Sequence, residues 1–223
     1  MSGPLNMLEL FSGTQSFGKV GRELGYNVIS VDIEDYKGKH VPTHKCDILE
    51  WDYTQYPRDY FDIVHGSPPC VQYSPLQAPW VGKQKRNPVT KEFYTFTQEI
   101  RDEELLIADS LVAKTLEIIS YFNPRRWTME NPQTGMLKKR DIVMGLPFVD
   151  VSYCRYSDYG YKKQTRIWTN STTFVGKVCD KQCGNMAEGG KKHRVDVSKI
   201  GGGSNRLIRY RIPPRLIAEL IAD

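Results

Sequence analysis

Apolar and polar positions along the first two thirds of the chain follow two distinct rhythms. Leu5 to Phe11 is a short apolar run ending in Ser12-Gly13, the pattern of a buried strand closed by a tight turn. Phe17, Val20 and Leu24 then recur at helical spacing, with Gly25 as a stop signal. Asn27 to Ile33 is rich in Val and Ile and predicts a strand whose polar end is Asp32. Phe61 to Val64 predicts another, running into His65-Gly66-Ser67-Pro68-Pro69-Cys70. Leu105, Ala108, Leu111, Val112, Leu116, Ile119 and Phe122 form a broad apolar stripe, which predicts a long helix over 105–122. Arg126 to Met129 reads as a strand ending at Glu130-Asn131-Pro132. Arg215 to Ala222 reads as a short helix opened by Pro213-Pro214.

Strands alternating with helices imply an α/β fold, a mostly parallel sheet with helices on both faces. Such sheets bind ligands beyond the carboxyl ends of their strands. The polar strand tails, Ser12-Gly13, Asp32, Ser67 to Cys70 and Glu130-Asn131, are therefore expected to converge on one edge. Two segments break the rhythm. Residues 75–104 form a polar stretch with Pro75, Pro79, Pro88, Lys83, Lys85, Arg86 and Lys91, and a loop of that length is usually functional or disordered. Residues 171–205 are rich in Gly and Lys and contain Cys179, Cys183 and His193.

Composition narrows the class further. The 223 residues suit one large domain with a small appendage, and 39% hydrophobic residues are enough for a core. A net charge of +5 is compatible with a nucleic-acid partner but does not require one. No apolar run approaches a membrane span and no leader pattern opens the chain, so an intracellular, soluble protein without a membrane partner is expected. Five scattered cysteines argue against a disulfide framework.

Several residues carry candidate chemistry. Pro68 and Pro69 stiffen the backbone ahead of Cys70 at a strand end, which would fix the direction of a nucleophilic sulfur. The competing reading is an inert cysteine beside a proline turn. Glu130 could pair with an amino group and a protonated ring nitrogen, the edge a cytosine presents; alternatively it is a turn residue. The turn around Gly13 could cradle a cofactor on its backbone N–H groups, although it lacks a dinucleotide glycine pattern. Asp32 could take ribose hydroxyls and Asp47 an adenine amino group; either could equally be a solvated loop acid. Cys179, Cys183 and His193 read as free side chains in a variable lobe. The alternative is a zinc site with Cys154 as a candidate fourth ligand.

In combination these segments resemble the DNA cytosine-5 methyltransferase family. Leu8 to Gly13 is similar to its first motif, Asp32 and Glu34 to its acidic strand end, and Asp47-Ile48 to its adenine-side acid. Pro68-Pro69-Cys70 with Ser74 is similar to its catalytic loop, and Glu130-Asn131 to its Glu-Asn motif. Tyr159-Gly160 with Gln164-Thr165-Arg166-Ile167-Trp168 is similar to its arginine strand, and Arg209 to Pro214 to the closing segment of short phage and large-virus members. Gln15 and Ser16 stand where the family usually has further glycines, Val71 where it has Gln, and Gln164 where it has the first of two arginines.

The resemblance implies a Rossmann-like S-adenosylmethionine-dependent methyltransferase, with DNA as partner. Its catalytic domain would span 1–170, a reduced target-recognition lobe 171–205, and a C-terminal segment 206–223 packed back on the domain. It implies Cys70 as nucleophile, Glu130 on the base edge and Arg166 as donor to the base oxygen. It implies cofactor contacts from Phe11, Ser12, Gly13, Thr14, Asp32, Ile33, Asp47, Ile48, Ser67 and Pro68. DNA-contact candidates are Gln72, Ser74, Lys83, Lys85, Arg86, Lys191, Lys192 and Arg194. No metal is expected, and an auxiliary recognition protein is a further candidate partner. RNA as substrate, or a catalytically silent DNA-binding relative, are the alternative readings.

Overall fold

The computed structural model describes residues 3–200 and 206–222, so the ends of the expected segments at 1–2, 201–205 and 223 lie outside the described residues. The elements run β1 (Asn6–Leu10), α1 (Ser16–Glu23), β2 (Asn27–Asp32), β3 (His44–Lys45), β4 (Ile63–Gly66), β5 (Gln84–Arg86), β6 (Phe93–Thr95), α2 (Gln98–Phe122), β7 (Arg126–Pro132), β8 (Phe148–Ser152), β9 (Gln164–Thr169), α3 (Arg206–Tyr210) and α4 (Pro214–Ile221). The main sheet has the order β3-β2-β1-β4-β7-β9-β8. The first five strands pair in parallel, whereas β9 runs antiparallel to both of its neighbours. Strand order reverses between β1 and β4, and that switch point opens the crevice in which such sheets bind ligands.

Alternation along the strands sorts the core onto two faces. Met7, Ile63 and Ile167 pack with Phe17 and Val20 of α1 and with Leu216, Ile217 and Leu220 of α4. Leu8, Leu10 and Val64 pack on the opposite face with Ile118, Ile119 and Phe122 of α2. Nearer the start of α2, Leu105, Ala108 and Val112 cover Met129 and Trp168. The mostly parallel sheet with helices on both faces is thus present, and it is the Rossmann-like arrangement expected from the sequence.

The segment after Cys70 departs from expectation. Residues 75–104 are not one long loop. They contain a short 3₁₀ turn (Pro75–Trp80), the β5-β6 hairpin and the first two turns of α2. Helix α2 starts at Gln98, seven residues before its apolar stripe, because Thr97 Oγ1 caps the backbone N–H of Ile100 at 3.3 Å. Those opening turns are mostly exposed, so they carry no apolar signal.

Candidate active site

The carboxyl ends of β1, β2, β4 and β7 open onto one cavity of about 360 Å³. At the end of β1 the backbone reverses sharply. Phe11, Gly13 and Gln15 all adopt left-handed φ values, of 54°, 46° and 55°. Helix α1 has no side-chain cap on its own first residue. Glu9 of β1 supplies one instead, accepting the backbone N–H of Phe17 at 2.9 Å and of Gly18 at 3.0 Å. Burial pushes its carboxyl up to about 7, against the opposing pull of those two bonds.

Asp32 braces the same turn from β2. One carboxylate oxygen accepts Gly13 N–H at 2.7 Å, and the other accepts Glu34 N–H at 2.8 Å. Burial raises its pKa above the usual carboxylate range. Ser12 Oγ is buried on the wall of this cavity without a partner among the described residues. Phe11, Ser12, Gly13, Thr14, Asp32, Ile33, Asp47, Ile48, Ser67 and Pro68 all line it, as do Glu34, Tyr36 and Cys46.

The far end of the cavity is lined by Pro69, Cys70, Val71, Glu130 and Lys163. The loop bearing Cys70 is fastened on both sides. Before it, Asn131 Nδ2 donates to Pro68 O at 2.9 Å, and His65 bridges Ser67 Oγ and Thr128 Oγ1 at 2.8 Å each. His65 is stacked on Phe17 with ring centroids 3.5 Å apart, and burial pushes its pKa down to about 3, so it is neutral at ordinary pH. After it, buried Tyr73 donates through its hydroxyl to Asp109 at 2.8 Å and accepts Met136 N–H on its carbonyl at 2.8 Å. Burial pushes the Cys70 thiol above its ordinary value; Lys163 opposes that shift and Glu130 adds to it.

Glu130 is buried, and its Oε1 accepts both the Tyr153 hydroxyl at 2.9 Å and the Lys163 ammonium at 3.0 Å. Burial alone would depress the Lys163 pKa, but the adjacent Glu130 and Cys70 leave it raised. Sequence reasoning did not single out Lys163 or Tyr153. Lys163 lies one residue before the arginine-strand segment, and nothing local marks it.

Arg166 lies away from the other expected site residues. Arg166 pairs in register with Asn131 and Asp150, on the face of β9 opposite to Ile167 and hence to Glu130. Its guanidinium makes two bonds to Asp150, at 2.8 and 2.9 Å, and lies 3.6 Å from the Phe148 ring centroid. It does not line the cavity; among the described residues, the cation that does is Lys163.

The DNA-contact candidates fall into two groups. Lys85 is occupied, bonded to Gln77 at 2.8 Å with its ammonium over the Phe96 ring, and so is not a free phosphate contact. Arg194 bonds Asn185 Oδ1 at 3.2 Å, Ser74 caps the 3₁₀ turn, and Gln72 is half-buried. Arg86 is exposed but bonded to Lys91 O, while Lys83, Lys191 and Lys192 are exposed. Cys179, Cys183 and His193 lie outside the cavity.

Sheet order and the cavity at its switch point place the chain in the Rossmann-like class of ligand-binding α/β proteins. No protein-family model matches it. The chain is 36% identical over 229 residues to the "Probable DNA (cytosine-5)-methyltransferase" of Frog virus 3 (isolate Goorha), across 97% of this chain and 99% of that protein. The chain belongs to the DNA (cytosine-5)-methyltransferase family. Among solved structures, a methyltransferase of Entamoeba histolytica superposes with a TM-score of 0.48 at 12% identity, over 80% of this chain and 58% of that one. A prophage-encoded E. coli protein described as a DNA modification methyltransferase gives 0.44 at 16% identity, over 74% and 46%. The chain thus spans about half the length of these two structural neighbours.

Proposed function

We propose that the chain methylates C5 of cytosine in DNA, using S-adenosylmethionine and a transient bond between Cys70 and C6 of the base. The observation that carries this reading is the shared cavity: Cys70, Glu130 and Lys163 stand at one end, and the Gly13 turn and Asp32 at the other.

The residues present suit the cofactor. A cavity of about 360 Å³ is of cofactor size. Its wall holds a buried hydroxyl at Ser12, unpartnered among the described residues, and acids at Asp32, Glu34 and Asp47 for ribose and adenine polar groups. Phe11, Ile33 and Ile48 supply apolar surface for a ring. Bound there, S-adenosylmethionine supplies an electrophilic methyl carbon.

Cys70 supplies the activation that cytosine C5 lacks. As its sulfur bonds to C6, the C5–C6 π pair moves onto C5, which can then bond to carbon. Glu130 accepts from the amino group and, as the ring takes up a proton at N3 when Cys70 adds, from N3–H as well, so its grip tightens as charge develops in the ring. The Tyr153 and Lys163 bonds both fall on Oε1, which fixes the carboxylate and leaves Oε2 to meet the base. Lys163 also favours the thiolate over the thiol. Once C5 carries the methyl group, its hydrogen leaves to solvent as a proton, the C6–S bond breaks, N3 gives back its proton, and the ring is restored with Cys70 free as the thiolate. A stacked base hides the face that Cys70 must reach, so the target cytosine must leave the stack.

The test is labelled-methyl transfer to duplex DNA, with transfer RNA in parallel, by the wild-type chain and by Cys70→Ala. Transfer to DNA by the wild type, background with Cys70→Ala, and a covalent complex with 5-fluorocytosine DNA are expected. An active Cys70→Ala chain would overturn the role of Cys70, and preferential labelling of the RNA would overturn the substrate.

A further inference from the structure

Four side chains that bind soft metals meet outside the active-site cavity. Cys154 lies in the single 3₁₀ turn (Tyr153–Arg155) that follows β8. Cys179, Cys183 and His193 come from the lobe some 25 residues and more farther along. Their ligand atoms all lie within 4.8 Å of one another. Cys179 Sγ is 3.6 Å from Cys183 Sγ and 3.5 Å from His193 Nε2, and Cys183 Sγ is 3.3 Å from the same nitrogen. A tetrahedral zinc with Zn–S of about 2.3 Å and Zn–N of about 2.0 Å has S···S edges of about 3.8 Å and S···N edges of about 3.5 Å. The measured edges match that polyhedron, and the sulfurs are much too far apart for the disulfide bond length of about 2.05 Å.

The surroundings hold these ligands in place. Lys181 donates its backbone N–H to Cys179 Sγ at 3.3 Å, as suits a sulfur carrying thiolate charge. The backbone N–H of Cys179 itself donates to Ser152 Oγ at 3.1 Å. Asn185 is buried between them: its Nδ2 donates to Cys154 O at 2.9 Å and Ser157 O at 2.7 Å, and its Oδ1 accepts Gly160 N–H at 2.9 Å.

The lobe also needs a fastener. Among the described residues of 171–200, regular structure amounts to a 3₁₀ turn (Val197–Lys199) and an isolated bridge between Met186 and His193. Cys179 is the one buried apolar side chain among them. A segment with so little core of its own is commonly held by a disulfide or a metal.

We propose that Cys154, Cys179, Cys183 and His193 form a closed, structural Cys₃His zinc site that pins the 171–200 lobe to the end of β8. All four positions are filled by protein, so none remains for water or substrate, and the site is not a catalytic one. Zinc binding releases the three thiol protons to solvent. The site is independent of the methyl-transfer reading, because its residues do not line the active-site cavity.

The experiment is metal analysis of the full chain, expressed with zinc and dialysed. About one zinc per chain is expected, retained in Cys70→Ala and lost at least tenfold in Cys183→Ser and His193→Ala. Cobalt exchanged into the wild type should show thiolate-to-cobalt charge transfer and the intense visible bands of tetrahedral coordination. Should the variants fail to fold, alkylation of the wild type still decides. With zinc, Cys46 and Cys70 should react first, and a chelator should expose the other three of the five free thiols. A folded wild-type chain without zinc, thiols equally reactive with and without the ion, or a Cys179–Cys183 disulfide found by mass would each overturn the proposal.

Discussion

At the scale of single residues, the cavity puts an acid and a base on opposite sides of one question: whether Cys70 carries a thiol or a thiolate. Burial and Glu130 favour the thiol, while Lys163 favours the thiolate. The signs give a paired prediction. Removing the ammonium in Lys163→Met should move Cys70 ionisation to higher pH, so the rising limb of kcat/KM against pH shifts in the alkaline direction. Removing the carboxylate charge in Glu130→Gln should move the ionisation the other way. The pH dependence of Cys70 alkylation, followed on its peptide by mass spectrometry, reports both shifts without turnover. An unchanged profile in Lys163→Met would remove that residue from the mechanism. The exchange of Arg166 for Lys163 is also a residue-scale lesson. The two lie three positions apart: Lys163 stands just before β9, and the face on which Arg166 projects follows from the register of β9 against β7. No local pattern states that register.

Elements set the position of the Cys70 loop through close approach. Strand β4 delivers Ser67 to Cys70, and its last residue, Gly66, presses against α2. A Cβ on Gly66 would lie 2.7 Å from Thr115 Cγ2. Thr115 has little freedom to turn away, because its hydroxyl donates to Leu111 O at 2.8 Å. Gly66→Ala should therefore cost about 1–3 kcal/mol of stability, the usual cost of overfilling a packed site. Adding Thr115→Ser deletes Cγ2 and keeps the hydroxyl, so it should recover most of the loss. Denaturant unfolding of the two chains checks both statements, and a single mutant as stable as wild type would refute the close-packing argument. The start of α2 makes the same point about legibility. Its inner turns announced themselves by an apolar stripe. Its first seven residues are mostly polar and exposed, and are helical because Thr97 caps them and because the buried part extends them.

Across the whole molecule, affinity for nucleic acid is expected to rest on few phosphate contacts. The chain carries +5 overall, and Lys83, Lys191 and Lys192 are exposed, as is Arg86 although its Nε donates to Lys91 O; Lys85 and Arg194 bond Gln77 and Asn185. With about four phosphates neutralised, binding to duplex DNA should weaken on the order of a hundredfold between about 50 and about 200 mM salt. A short target, two or three bases in length, is expected from so small a lobe, because each good base contact contributes only about 1–3 kcal/mol. Fluorescence anisotropy over a salt series tests the first statement, and bisulfite sequencing of methylated plasmid tests the second. Salt-independent binding, or methylation confined to one long site, would contradict them.

What the sequence determined by itself is the part written in contiguous residues. The strand–turn–helix at 5–25, the stiff Pro68-Pro69-Cys70 loop and Glu130-Asn131 are local patterns, because backbone rigidity and strand-end position are local properties. The α/β class followed from the alternation of those patterns, since each apolar face has to be covered by the next element. The tertiary structure alone decided everything that depends on register or on distance between remote segments. It placed Lys163 rather than Arg166 beside Glu130, made Asn131 the anchor of the Cys70 loop through Pro68, and brought Cys154 to Cys179, Cys183 and His193. These choices are non-local because side-chain direction alternates along a strand. A shift of one residue in the pairing of β7 with β9 would exchange the two faces and the chemistry they carry.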